Sequence, residues 1–152
     1  MSNGRSWIYP QSQRTYPRKG GVIPTPLELA QFAGRLAVGK KAADTIIIDL
    51  EERVSYCDYF VICSAKNRRQ SKSIASAIKS AMRDEFGTGP ISIEGMESGR
   101  WVLIDLGDVV VHVFDEPLRP FYNLEGLWCD APKVELDLPE GMVSEKGSLF
   151  TP

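Results

Sequence analysis

The chain has 152 residues, of which 43% are hydrophobic and 25% charged, and this composition is typical of one soluble α/β domain. Its apolar stretches fall far short of the roughly 20 residues of a membrane helix, and three irregularly spaced cysteines with one histidine favour neither a disulfide framework nor a zinc site. The sequence therefore excludes a membrane span and favours a reducing, cytoplasmic setting without a metal or another cofactor.

Charge is unevenly distributed along the chain. Residues 1–24 carry a net charge of +4, residues 25–90 carry +2, and residues 91–152 carry −8. This asymmetry predicts that a basic partner docks on the C-terminal part, with a solvated acidic face as the alternative.

Three segments follow from the residue patterns. Residues 1–24 are basic and lack an apolar period, which predicts a flexible N-terminal arm. Residues 25–130 carry the helix and strand patterns of one α/β domain. Residues 131–152 are rich in proline, glycine and acids, which predicts a C-terminal tail.

Capping signals predict three helices. Thr25, Pro26 and Glu28 form a capping box with proline at the first helical position, and Gly39 ends this helix. A second helix begins after Asn67 with Gln70 as its capping partner. It closes at residue 87, and a shorter helix is predicted over residues 117–127.

Five short apolar or β-branched runs predict strands. They cover residues 45–50, 59–64, 91–94, 101–106 and 109–114. The last two are separated only by Gly107 and Asp108, so they form a hairpin with a two-residue connection in which Gly107 takes a positive φ.

The two faces of this hairpin differ in character. Pairing across the turn sets Val102 opposite Val113, Ile104 opposite Val111 and Leu106 opposite Val109, which predicts a core face. The other face carries two aromatic residues, an acid and the single histidine. An apolar face with a charged edge is typical of a protein-binding surface, and the alternative is that helix 25–39 or helix 117–127 covers it. Its members are Trp101, Leu103, Asp105, Val110, His112 and Phe114.

Three stretches resemble the ribosomal silencing factor family, also called the RsfS or Iojap-like family. They read LAVGKKAADTIIIDLEERVSYCDYFVICSAKNRRQSKSIA, GRWVLIDLGDVVVHVF and FYNLEGLW, and the likeness spans about residues 27–130. The resemblance implies an α/β fold with a mixed sheet of about five strands and flanking helices. That fold is itself similar to nucleotidyltransferases but lacks their catalytic motif.

The resemblance also implies a cytoplasmic translation repressor that is not an enzyme. Family members bind the large ribosomal subunit through ribosomal protein fourteen (L-fourteen) and block joining of the small subunit when nutrients are limiting. On this chain the predicted partner-binding residues combine acids for Lys and Arg of a basic protein with apolar side chains that lose water on binding. They are Glu97, Arg100, Trp101, Leu103, Asp105, Asp108, Val110, His112, Phe121 and Tyr122.

Three other hypotheses remain open at this point. Lys66, Arg68 and Arg69 surround a helix N-terminus, which favours a minor contact with ribosomal RNA phosphate, or they are plain solvated capping residues. A nucleotide-binding or nucleotidyltransferase-type enzyme would use the acid–apolar–acid triplet 49–51, but no Gly-Ser turn precedes it.

The third is a nucleophilic site that would combine Cys63 with His112 and Asp105, whereas the structural interpretation makes Cys63 a small buried hydrophobic residue. The sequence also leaves open whether the protein is a monomer or a homodimer.

Overall fold

The structure, a computed structural model, describes residues 23–147. The predictions for residues 1–22 of the N-terminal arm and for residues 148–152 of the tail lie outside the described residues. No helix in the described range is both long and apolar enough to cross a membrane.

Two long helices begin and end where their capping residues predict. Helix α1 spans Pro26–Gly39, and its capping box is complete because Thr25 Oγ1 accepts from the Glu28 N–H at 3.1 Å while Glu28 Oε1 accepts from the Thr25 N–H at 2.8 Å. Helix α2 spans Arg68–Phe86, with Asn67 as N-cap. These satisfied backbone donors confirm both predicted helix starts.

Six strands form one mixed sheet, which confirms the predicted α/β class and adds one strand to the five expected. In chain order they are β1 (Ala43–Asp49), β2 (Tyr59–Ala65), β3 (Ser92–Glu94), β4 (Trp101–Asp105), β5 (Val109–Asp115) and β6 (Lys133–Val134). Their order across the sheet is β3-β4-β5-β2-β1-β6. Strands β2 and β5 are parallel, and the other neighbours are antiparallel.

The additional strand comes from the segment that was expected to be a tail. Residues 133 and 134 pair with Ile48 and Ile47 at the edge of β1. The chain then crosses α1, where the Asp137 N–H donates to Gln31 Oε1 at 2.7 Å and Leu136 packs against Gly34. It returns to β1, where the Gly147 N–H donates to Asp44 Oδ2 at 2.8 Å. We call residues 131–147 the C-terminal strap.

The predicted helix over residues 117–127 is two short helices. Helix α3 spans Leu118–Tyr122 and helix α4 spans Leu124–Leu127, and Asn123 between them has a φ of 48°. A left-handed residue ends one helix and lets the chain turn before the next, which a continuous apolar pattern does not reveal.

The sheet separates two apolar clusters. Helices α1 and α2 cover the first face, and their side chains pack on residues such as Ile47, Val61 and Val111. The second face carries Ile48, Phe60, Ile62 and Phe114, and α3, α4 and the loop after β1 pack over part of it. The predicted partner-binding residues lie on and around this second face.

Candidate functional site

The hairpin of β4 and β5 has the predicted pairing. Val102 lies opposite Val113 and Ile104 opposite Val111, and the Leu106 N–H donates to the Val109 carbonyl at 2.9 Å. All six side chains of this face are buried in the first cluster, so the predicted core face is confirmed. Gly107 has a φ of 97°, which confirms the positive φ predicted for the turn.

The other face of the hairpin is partly covered. Val110, His112 and Phe114 are buried, while Trp101, Leu103 and Asp105 are half-buried. Tyr122 packs on Trp101 and Phe114, so the alternative in which the segment 117–127 covers this face holds for the part around these two rings. Two of the predicted partner-binding residues, Val110 and His112, are buried and therefore do not form part of the protein surface.

Trp101 and His112 form the polar contact of this covered region. The indole N–H of Trp101 donates to His112 Nδ1 at 3.1 Å. With Nδ1 as acceptor, the neutral imidazole carries its proton on Nε2, which is buried and has no hydrogen-bond partner among the described residues. Burial lowers the pKa of His112 to about 4, so this ring is neutral at physiological pH.

An aromatic stack reaches from this contact to the solvent. The ring of Trp101 lies 5.0 Å from that of Phe114 and 4.6 Å from that of Tyr122, centroid to centroid, and Phe121 packs edge-on against Tyr122 at 5.1 Å. Phe121 is 76% exposed and Tyr122 is 46% exposed. We call Trp101, Leu103, Phe121 and Tyr122 the aromatic surface. Trp101 is held in place by stacking and by its hydrogen bond to His112, and the ring of Phe121 faces water.

Acidic residues gather at the end of the sheet where the β4–β5 turn lies. Asp105 Oδ1 accepts from the Gly107 N–H at 2.8 Å, so this carboxylate also stabilises the turn. The Asp108 carbonyl accepts from the Tyr59 N–H at 3.2 Å. Burial raises the pKa of Tyr59 to about 12, and the nearby acids add to this rise. We call this region the acidic end; its residues are Asp49, Glu51, Asp58, Asp105 and Asp108.

Two of the predicted partner-binding residues lie away from the acidic end. Glu97 and Arg100 are exposed and precede β4, eight and five residues before Asp105. Since a strand rises about 3.3 Å per residue, Trp101 and Asp105 are about 13 Å apart along β4. Asp105 and Asp108 thus lie at one end of the hairpin, and Glu97 and Arg100 lie at the other with the aromatic surface.

The hypothetical nucleophilic site is not assembled. Cys63 belongs to the first cluster, beneath the long helices, whereas His112 belongs to the second face of the sheet. Burial raises the pKa of the Cys63 thiol to about 12, which disfavours the thiolate that would act as nucleophile. The hypothesis that joined Cys63, His112 and Asp105 was wrong, because alternate strand residues point to opposite faces.

The acid–apolar–acid triplet has local structural roles. Asp49 Oδ1 accepts from the Glu51 N–H at 3.0 Å, and the Tyr59 hydroxyl donates to Glu51 Oε1 at 3.4 Å. Across residues 23–147, no three His, Cys, Asp or Glu side chains converge in a way that could hold a metal ion.

Sequence reasoning missed the residue that fixes the short helices. Arg119 is 2% exposed; its Nη1 donates to the Asp44 carbonyl at 2.7 Å and to Ser64 Oγ at 3.0 Å, and its Nε donates to Glu125 Oε2 at 2.8 Å. It therefore ties α3, which carries Phe121, to β1, β2 and α4. No local sequence pattern predicts this role, because two of the three hydrogen-bond partners of Arg119 are more than 50 residues away in sequence.

Comparison with known families gives one match across nearly all of the described chain. The family described as "Ribosomal silencing factor during starvation" matches residues 24–148. Among curated proteins, the chain is 47% identical over 109 residues to the ribosomal silencing factor RsfS of Bacillus subtilis, which covers 72% of this chain and 92% of that protein. It is 31% identical over 110 residues to the chloroplastic Iojap protein of Arabidopsis thaliana, covering 72% of this chain and 45% of that protein.

A solved structure has the same architecture. The crystal structure of a protein from Chromobacterium violaceum is similar with a TM-score of 0.66 at 29% sequence identity, and the match covers 77% of this chain and 96% of that one.

Proposed function

Because the chain belongs to the ribosomal silencing factor family, we propose that it binds the large ribosomal subunit through ribosomal protein fourteen (L-fourteen) and blocks joining of the small subunit, repressing translation when nutrients are limiting. The family match over residues 24–148 is the observation that carries this proposal. The protein acts by occupying a surface that the small subunit needs, so it requires no substrate and no turnover. It works in the cytoplasm, where the ribosomes are.

The aromatic surface supports the proposal by its shape and exposure. Phe121 and Tyr122 present apolar area to water, and the layer beneath them is rigid because Trp101 is both stacked and hydrogen-bonded. Aromatic anchors at the centre of an interface commonly contribute about 2 kcal/mol or more of binding free energy. A pre-organised surface loses little conformational entropy on binding, so more of this energy contributes to affinity.

The negative charge of the acidic end also supports the proposed binding to a basic ribosomal protein. Asp105 and Asp108 lie at the turn beside Asp58, and a basic ribosomal protein supplies the lysines and arginines that complement them. Charges at the rim of an interface chiefly accelerate association, and their effect weakens with salt. The apolar centre then sets the lifetime of the complex.

Co-sedimentation with purified large subunits tests the first step. We expect the protein to pellet with large subunits at low salt and to reduce the formation of whole ribosomes when small subunits are added. Binding to large subunits without any effect on joining would contradict the anti-association role. A failure to bind large subunits would overturn the proposal.

Matched variants test the proposed surface. Phe121→Ser removes a 76% exposed ring from the aromatic surface, while Val143→Ser removes a 77% exposed side chain from the C-terminal strap. We expect Phe121→Ser to weaken binding to large subunits and to isolated L-fourteen by about tenfold or more, and Val143→Ser to change neither. Equal effects of the two substitutions would exclude this surface.

Asp105 needs two substitutions because it also stabilises the turn. Asp105→Asn keeps an acceptor for the Gly107 N–H and removes the charge, whereas Asp105→Lys reverses the charge and removes the acceptor. We expect both variants to bind more weakly, with Asp105→Asn keeping the melting temperature of the wild type. Weaker binding only in Asp105→Lys, together with a lower melting temperature, would show that the carboxylate acts through the fold alone.

A further inference from the structure

The end of the sheet opposite the acidic end is basic. Three elements contribute to it: the connection from β2 to α2, the first turns of α2, and the residue before β4. They lie together, because a Cβ atom at Gly99 would be 2.7 Å from the Arg68 carbonyl and 3.1 Å from Lys72 Cε, and Arg100 is the next residue. We call this group the basic end; its residues are Lys66, Arg68, Arg69, Lys72 and Arg100.

Within residues 23–147, one of these five cations forms an ion pair. Arg68 forms a long ion pair with Asp115, with Nε 4.0 Å from Oδ2. The other four form no ion pair with any residue in the described part of the chain. Asp115, Glu116 and the exposed Glu97 are the acids of this region, and Glu116 is placed there because its N–H donates to the Ala65 carbonyl. With these acids counted, the five cations still leave a net positive charge that attracts an approaching anion.

The shape of this region suits a charged ligand at the surface. An open depression of about 590 Å³ lies between the start of α2 and the residues that follow β5. Five of its six lining residues are charged or polar, and four of these side chains carry a charge. Its lining residues are Lys66, Asn67, Arg68, Arg69, Asp115 and Pro117.

We infer that the basic end binds backbone phosphates of ribosomal RNA on the large subunit, while the acidic end faces a basic ribosomal protein. This inference rests on the proposed function and adds the orientation of the protein on the subunit. Strand β5 has seven residues and joins the two ends, which are therefore about 20 Å apart, far enough to contact two different components at once. Arginine guanidinium groups match phosphate oxygens in a bidentate geometry, and RNA offers a continuous row of them.

A triple variant tests the inference. Lys66→Gln, Arg69→Gln and Lys72→Gln remove three charges from cations that form no ion pair within residues 23–147. They leave Arg68 with Asp115 and do not alter Arg100, which lies beside the aromatic surface. A control variant removes three charges from exposed lysines elsewhere: Lys79→Gln, Lys133→Gln and Lys146→Gln. Both variants are first checked for wild-type melting temperatures and then titrated with large subunits at a series of salt concentrations.

The salt dependence separates phosphate contacts from other effects. Each lost phosphate contact lowers the slope of log K against log salt by about 0.7–0.9, so we expect a slope about 2 smaller for the triple variant and affinity at least about tenfold lower at low salt. The control should keep the slope and the affinity of the wild type. Binding of the triple variant to isolated L-fourteen should be unchanged.

Each contrary outcome has its own meaning. If the wild type binds large subunits and the triple variant binds with the same slope as the control, the inference fails while the proposed function stands. If the triple variant loses affinity for isolated L-fourteen as well, the basic end faces protein, and the RNA contact is refuted. A photocrosslinking residue at position 69 should capture RNA; capture of a ribosomal protein would also refute it. Failure of the wild type to bind large subunits overturns the proposed function itself.

Discussion

Arg119→Met tests whether one buried side chain holds the short helices that carry the aromatic surface. Methionine keeps much of the apolar volume of the arginine stem, so the change removes mainly the guanidinium group. That group donates to the Asp44 carbonyl, to Ser64 Oγ and to Glu125 Oε2. After the substitution these acceptors lose a donor, and the Glu125 carboxylate loses its counter-charge.

The structure sets the expected magnitude. Removing one partner of a buried charged pair costs about 3–5 kcal/mol of unfolding free energy. The Glu125 side chain is 22% exposed, so water can hydrate part of it, and we expect a loss in the lower half of that range. For a chain of this length, 1 kcal/mol shifts the melting temperature by about 2–4 °C, so Arg119→Met should melt about 10 °C lower than the wild type.

Urea denaturation followed by tryptophan fluorescence measures this loss, because Trp101 and Trp128 both pack on the second cluster. Arg53→Met is the matched control: Arg53 pairs with Asp130 at 3.8 Å at the surface, and its loss should cost less than about 1 kcal/mol. Adding Glu125→Leu to Arg119→Met should restore part of the stability, since the Glu125 carboxylate that Arg119 balances is then absent as well. The reasoning fails if Arg119→Met is no more destabilising than Arg53→Met.

Three further predictions concern the hairpin. Burial lowers the pKa of His112 from 6.5 to about 4. Between pH 6.5 and 4 the unfolded chain therefore binds a proton at His112 that the native chain does not bind. The free energy of unfolding is full above pH 6.5 and falls as the pH drops towards 4. In urea denaturation, the free energy of unfolding of the wild type should fall by about 2–3 kcal/mol more than that of His112→Gln when the pH is lowered from about 7.5 to 4.5. An equal fall in both proteins would contradict the burial of His112. Trp101→Phe keeps the stacking but removes the donor to His112 Nδ1, so calorimetry should show a free energy of unfolding about 1–2 kcal/mol lower than that of the wild type. Trp101→Ala should lower it further. An unchanged stability of Trp101→Phe would refute the role of the hydrogen bond. Gly107→Ala forces an L side chain to a φ of 97° and should cost about 1–2 kcal/mol in thermal melts, whereas Gly39→Ala, with open space around its Cβ, should cost nothing; similar melting temperatures would contradict this.

Local patterns predict most of the fold because their causes are local. A capping box is complete within four residues, and the pairing of β4 with β5 follows from a two-residue turn. The hairpin also shows where local reasoning ends. Its sequence reveals one aliphatic face and one face that mixes apolar, acidic and histidine side chains. The burial of His112 on the mixed face, however, depends on Phe60, whose ring lies 4.4 Å away on another strand.

The C-terminal strap and Arg119 show the same limit more strongly. Strand β6 has only two residues, too few for any period, and it pairs with a strand more than 80 residues earlier. An arginine is usually exposed, so the sequence offers no reason to bury Arg119 until Asp44 and Ser64 are brought beside it. The sequence therefore predicts the hairpin that carries the candidate site. It does not predict the side chains that pack over this hairpin, because they come from distant parts of the chain.

The C-terminal strap also bears on the solubility of the protein. Strand β1 contains the run Thr45-Ile46-Ile47-Ile48, whose β-branched residues would make a free sheet edge adhesive to other chains. The Asp49 N–H donates to the Pro132 carbonyl, Ile47 and Ile48 pair with β6, and the Asp44 N–H donates to the Glu145 carbonyl, so the strap engages this edge at both ends and in its middle. A chain shortened before residue 131 would keep its helices and its hairpin but would expose the edge of β1 as a template for strand pairing between molecules. Such a chain would aggregate, although the proposed binding surface would be unchanged.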